Sequence, residues 1–131
     1  MKSQEHESTN AHTSFKSALK HKMDVYAHAV YTATKEFPRE EQYGITSQFR
    51  RASVSVVLNY IEGYARKSVG YQLQFLQISY GSLKESEYLI DFSEKEGFIN
   101  LEKAVQLKNA ANEIGAMLWT ELSALERANG K

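Results

Sequence analysis

From Phe15 almost to the C-terminus, apolar residues recur at spacings of three and four, and only one proline, Pro38, interrupts the chain. Side chains at that spacing stack on one face of a helix, whereas a half-buried strand needs strict alternation. No alternation of useful length and no internal repeat occur, so the expected fold class is all-α. A length of 131 residues is that of one domain able to bury a core of its own.

Four helices are expected. In the first, from about Ser14 to Glu36, the residues Phe15, Leu19, Met23, Tyr26, Val30 and Ala33 form one stripe that continues to Phe37. Pro38 disfavours helical geometry at Phe37 and ends it, and residues 38–44 form a charged loop. The second begins near Thr46, read as its N-cap, and runs to about Arg66. Ser68 caps the third, which reaches Glu96 and stops at Gly97-Phe98, a glycine C-cap with its hydrophobic partner. Asn100 caps the fourth, which reaches roughly Arg127. Residues 1–13 are polar and aperiodic and are expected to be a disordered tail, leaving 14–128 as the folded domain. Short connections impose antiparallel neighbours, hence an up-down-up-down four-helix bundle.

The helices differ in how many apolar faces they carry. The fourth has one, built on Ala104, Leu107, Ala111, Ile114, Leu118, Leu122 and Leu125. On the second, Ile45, Phe49, Ala52, Val56, Tyr60 and Gly63 make one stripe, and Val54, Val57, Leu58, Ile61 and Ala65 another. The third sets Val69, Leu73, Leu76, Tyr80, Leu83 and Ile90 against Tyr71, Phe75, Ile78, Leu89 and Phe92. A bundle buries one face per helix, so second stripes call for a partner. Either these two helices are central in a broad core, or Val54, Val57, Leu58 and Ile61 are the contacts of a homo-oligomer, and the second is the expectation.

Residue types narrow the chemistry. With no cysteine there is neither a disulfide framework nor a thiolate metal site. No apolar signal-peptide core follows Met1 and no run approaches a membrane span, so a cytoplasmic location with no membrane partner is expected. All four histidines fall in the first 28 residues; His21, Asp24 and His28 share a face opposite the apolar stripe, without a shell to order a metal. The Glu-x-x-His of di-iron bundles is absent, as are phosphate-cradling glycine loops and nucleophile elbows. No catalytic residue, metal, cofactor or small-molecule substrate is assigned, and the chain reads as non-enzymatic.

The second helix carries the most unusual pattern. Gln48, Arg51, Ser55, Asn59, Glu62 and Arg66 are spaced 3, 4, 4, 3 and 4 apart and form a polar ladder between its two stripes. One reading is a structural network of Gln48, Ser55, Asn59 and Glu62 that fixes register against a covering helix. The other is an anion surface in which Arg50, Arg51, Arg66 and Lys67 contact phosphates. Charge is zero overall, with sixteen basic and sixteen acidic residues, but residues 39–68 carry a local +2 and residues 69–98 a local −3. Opposed patches suit self-association as well as they suit a polyanion. Gly81, in mid-helix, is read as a point of close helix approach, as are Gly63 and Gly115.

The segment from Tyr43-Gly44-Ile45-Thr46 through Gln48-Phe49-Arg50-Arg51 to Asn59-Tyr60-Ile61-Glu62-Gly63 resembles the four-helix bundle proteins encoded in intervening sequences of bacterial 23S rRNA genes. Phe37-Pro38 before it and Gly81-Ser82-Leu83-Lys84-Glu85 after it match as well, and the likeness extends over roughly residues 15–125. The resemblance implies a bacterial protein and a ring of five subunits. It also implies a fold relationship to the accessory variability protein of diversity-generating retroelements, which binds a reverse transcriptase and nucleic acid. Proteins of that accessory type tend to be basic, whereas this chain is neutral and its third helix acidic. The expected function is that of an oligomeric accessory or adaptor protein for RNA, DNA or a reverse transcriptase. The alternative is a structural or protein-interaction bundle with no nucleic-acid role.

Overall fold

The computed structural model describes the backbone of residues 2–130 and the side chains of residues 13–130. Four long helices, α1 (Lys2–Thr34), α2 (Ile45–Tyr64), α3 (Val69–Lys95) and α4 (Leu101–Asn129), follow one another with a 3-10 turn (Arg39–Glu41) between the first two. The start of α1 falls on the segment expected as a disordered tail. Side chains of residues 1–12, and with them that expectation, lie outside the described residues. Among the described residues there is no strand, and no helix is long and apolar enough to cross a membrane.

Local chemistry sets the boundaries. Gly97 has φ +78°, and the amides of Gly97 and Phe98 return to the carbonyls of Glu94 and Ser93. This double closure ends α3 and drops Phe98 onto Phe37, with ring centroids 5.3 Å apart. Asn100 caps α4, its side-chain oxygen accepting from the Lys103 amide at 2.8 Å. The start of α2 differs from expectation. Its N-cap is Gly44, whose missing side chain is replaced by Glu41, accepting from the Ile45 amide through Oε2 at 3.4 Å. Thr46 lies inside the first turn, buried.

Each helix packs on the next, and α1 also meets α4, closing the bundle. Pairings fix the directions: Thr34 meets Arg50 while Lys16 meets Tyr64, Ser55 meets Ser82 while Gly63 faces Phe75, and Lys22 meets Glu113. Neighbours are antiparallel throughout, the up-down-up-down arrangement. Leu19, Met23, Tyr26 and Val30 of α1, Phe49 and Val56 of α2, Leu76, Leu83 and Ile90 of α3, and Ile114 and Leu118 of α4 fill the core.

Close approach shapes the α2–α3 seam. A methyl group on Gly63 would sit 2.6 Å from Leu76 Cδ1 and 3.3 Å from the Gln72 carbonyl, so a larger residue there must displace Leu76 and push on the α3 backbone. α3 carries a row of buried serines, Ser79, Ser82, Ser86 and Ser93, of which Ser79 and Ser82 meet α2 and Ser86 meets α1. Ser79 donates to the Val56 carbonyl at 2.6 Å and Ser86 bonds the Tyr26 hydroxyl at 2.8 Å, so the hydroxyls of both are satisfied inside the core. Gly81 differs from its expected role: nothing lies within 4 Å of an added methyl, and it faces outward. Leu89 also departs from its assigned outer stripe, being buried within the subunit.

Candidate partner and nucleic-acid face

The outward side of α2 and α3 holds nearly every residue singled out above, and it divides into two halves along the helix axes. In the first half, the C-terminal part of α2 runs beside the N-terminal part of α3. Leu58 and Ile61 of α2 are 57% and 46% exposed, and Tyr71 and Ile78 of α3 are 60% and 44% exposed. Between these stripes run Asn59, Glu62 and Arg66. Asn59 donates to the Ser55 carbonyl and hydroxyl at 2.9 and 2.8 Å, Glu62 pairs with Arg66, and the Arg66 guanidinium lies over the Phe75 ring. Asn59, Glu62 and Arg66 are engaged at home; the apolar groups of this half are not. Of the expected oligomer contacts, Val54 is half-buried and Val57 packs against the subunit's own core.

In the second half, the N-terminal part of α2 faces the C-terminal part of α3 across a groove of about 630 Å³. Ala52 and Leu89 form its floor, and the Ser55 and Ser82 hydroxyls join across it at 2.8 Å. Gln48 and Arg51 line one wall, Glu85 and Tyr88 the other. The ladder is thus one face of α2 but three separate pieces: free at Gln48 and Arg51, tied to α3 through Ser55, and self-paired at Glu62–Arg66.

The four basic residues do not converge. Arg50 and Arg51 stand near the start of α2, Arg66 and Lys67 just past its end, about 22 Å away at 1.5 Å per residue. Arg50 points to α1, where its Nε donates to Thr34 Oγ1 at 2.8 Å, its Nη2 to the Tyr31 carbonyl at 3.4 Å, and its guanidinium lies 4.6 Å from the Tyr31 ring centre. It clamps the end of α1 to the start of α2. Arg66 is held by Glu62. Among the described residues, Arg51 and Lys67 are the members of the set with no ion pair or side-chain hydrogen bond.

One polar cluster escaped sequence reading. Glu121 of α4 is 5% exposed and accepts from the Tyr60 hydroxyl at 2.9 Å on both oxygens and from the Tyr64 hydroxyl. Lys16 of α1 stands 3.8 Å from Glu121 and 3.2 Å from the Tyr64 ring centre. Burial first, then the hydrogen bond and charge of Glu121, push both tyrosines well above their ordinary range, so they stay protonated and keep donating. Burial also holds Lys16 below its usual value despite the carboxylate. The groups satisfy one another and bind three helices together. Near the surface of α1, His28 and Asp24 approach to 3.4 Å, both exposed, and among the described residues no three potential metal ligands gather.

Comparison with known proteins bears on the fold and the family. No curated protein matches the chain. Among solved structures, a protein of unknown function from the S23 ribosomal protein family of Bacteroides thetaiotaomicron superposes with a TM-score of 0.77 at 20% identity, covering 83% of this chain and 98% of its own. That likeness shows a shared bundle. The profile of the 23S rRNA-intervening sequence protein family matches residues 16–120, which spans all four helices, and the chain belongs to that family.

Proposed function

We propose that the protein is a non-enzymatic accessory protein that works as a ring-shaped homo-oligomer, a pentamer by family resemblance, and holds RNA on basic groups repeated around the ring. The observation that carries this reading is the first half of the α2–α3 face. Leu58, Ile61, Tyr71 and Ile78 are large, apolar and exposed, while Asn59, Glu62 and Arg66 between them are already paired. Another copy can cover such a surface without stranding Asn59, Glu62 or Arg66, so its burial is favourable. RNA is supported by family membership and by Arg51 and Lys67, the members of the basic set that have no partner among the described residues, which each added subunit multiplies into a cooperative surface.

Binding of a structured RNA, followed by anisotropy at several salt concentrations, tests the function. Each neutralised phosphate releases counterions, so affinity should fall steeply with salt. Replacing Arg51 and Lys67 together by Gln should weaken binding and flatten the salt slope while the oligomer persists. Arg50 is unsuitable for this purpose because it ties α2 to α1. Absence of binding by the native protein at low salt overturns the RNA reading and leaves a protein-interaction bundle, which the zero net charge favours.

A further inference from the structure

The second half of the α2–α3 face combines an open groove with unused chemistry. Open to solvent on one side, it measures about 630 Å³, room for a ligand of nucleotide size. Among the described residues, the Gln48 amide, the Arg51 guanidinium, the Glu85 carboxylate and the Tyr88 hydroxyl take part in no side-chain hydrogen bond or ion pair. Comparable groups nearby are engaged: Arg50 with Thr34, Arg66 with Glu62, Glu87 with Lys84, and Asp91 with Lys108. Four unengaged polar groups therefore line one groove, a cation and an amide on one wall and a carboxylate and an exposed phenol on the other.

A complementary ligand presents an anion to the first wall, and to the second a flat body with a hydrogen-bond-donating edge. Unpaired nucleotides have that form: a phosphate, a planar base that stacks on aromatic rings, and a Watson–Crick edge open to side chains. The carboxylate selects among the bases. Guanine alone offers two adjacent donors, N1–H and the exocyclic amine, to one carboxylate; adenine and cytosine offer one amine, and the single N–H of uracil is flanked by two carbonyls that repel it.

We propose that this groove holds one unpaired guanine nucleotide of an RNA strand. The phosphate sits on Arg51 and on Gln48 one turn before it, the base lies against the Tyr88 ring, and its donor edge faces Glu85. This rests on the RNA reading above, deepening it from a charge contact to a base-selective one.

GMP, AMP, CMP and UMP, titrated singly into the full-length oligomer by calorimetry at low salt, provide the test. GMP should bind about ten-fold more tightly than UMP, the discrimination expected of one two-bond base contact. Glu85→Gln should bring GMP down to the level of UMP. Arg51→Gln should weaken all four nucleotides alike and leave guanosine unchanged. Equal binding of the four, displaced equally well by inorganic phosphate, overturns the proposal and reduces Arg51 to an anion contact. No nucleotide binding by the folded protein also overturns it. The two readings fail separately. Salt-dependent RNA binding that survives Glu85→Gln and Tyr88→Ala removes the groove and keeps the RNA function. Guanine-selective mononucleotide binding without RNA binding keeps the groove and removes that function.

Discussion

The two halves of the α2–α3 face are built from the same polar ladder and end in opposite conditions. Toward the C-terminal end of α2, the ladder residues Asn59, Glu62 and Arg66 pair within the subunit and apolar side chains stand exposed; toward its N-terminal end, apolar side chains form a groove floor and Gln48 and Arg51 stand unpaired among the described residues. The difference comes from seam geometry. At Gly63 the helices touch, which brings Phe75 under Arg66 and leaves no space between them. Past the Ser55–Ser82 hydroxyl pair a groove lies between α2 and α3, and Gln48, Arg51, Glu85 and Tyr88 line its walls. A closed, self-satisfied half suits permanent burial against another copy, whereas an open half with unmet hydrogen-bonding capacity suits a ligand that comes and goes.

Substitutions that should act on one half and spare the other sharpen this contrast. The largest effect is expected at Gly63. Alanine there puts a methyl 2.6 Å from Leu76 and against backbone at Gln72, so the seam must open, at a cost of about 2 kcal/mol. Thermal or urea unfolding measures it, and an unchanged midpoint would mean that the closed half is looser than described.

A smaller and more pointed effect separates two adjacent arginines. Arg50→Gln should destabilise by about 1 kcal/mol, because it removes the clamp on Thr34 and the Tyr31 carbonyl. Arg51→Gln, one residue on and facing the groove, should leave the unfolding midpoint where it was. Equal losses at both positions would show that Arg51 is engaged as firmly as its neighbour and that the groove half is not free.

This pair also shows where sequence reading reaches its limit. Single-faced helices were legible because a period of three to four with no competing stripe admits one buried side, and α1 and α4 bury the residues that the period marks. Gly97-Phe98 and Asn100 were legible because their chemistry is local. Arg50 and Arg51 look alike in sequence, and only a rotation of about 100° decides which one meets Thr34. The buried serines of α3 read as surface because serine is polar, although their spacing of three, four and seven is that of a close-packed seam. Glu121 reads as an exposed charge beside Leu122; its partners Tyr60 and Tyr64 lie 61 and 57 residues away and meet it only in the fold. Gly81 misled in the other direction, since its neighbourhood within the subunit is open.

The central claim is that the closed half joins copies of the chain while the groove half stays clear. Light scattering at micromolar concentration on Leu58→Asp, Ile61→Asp and Arg51→Gln, beside the native protein, tests it most directly. Val57 is left out because its side chain packs on the subunit's own core. The native chain and Arg51→Gln should share one oligomeric mass, and each aspartate variant should fall toward the 14.9 kDa of one chain with its helical content retained, since an unpaired charge would otherwise be buried at the contact. A native protein that scatters as a monomer, or aspartate variants that keep the native mass, would contradict the account.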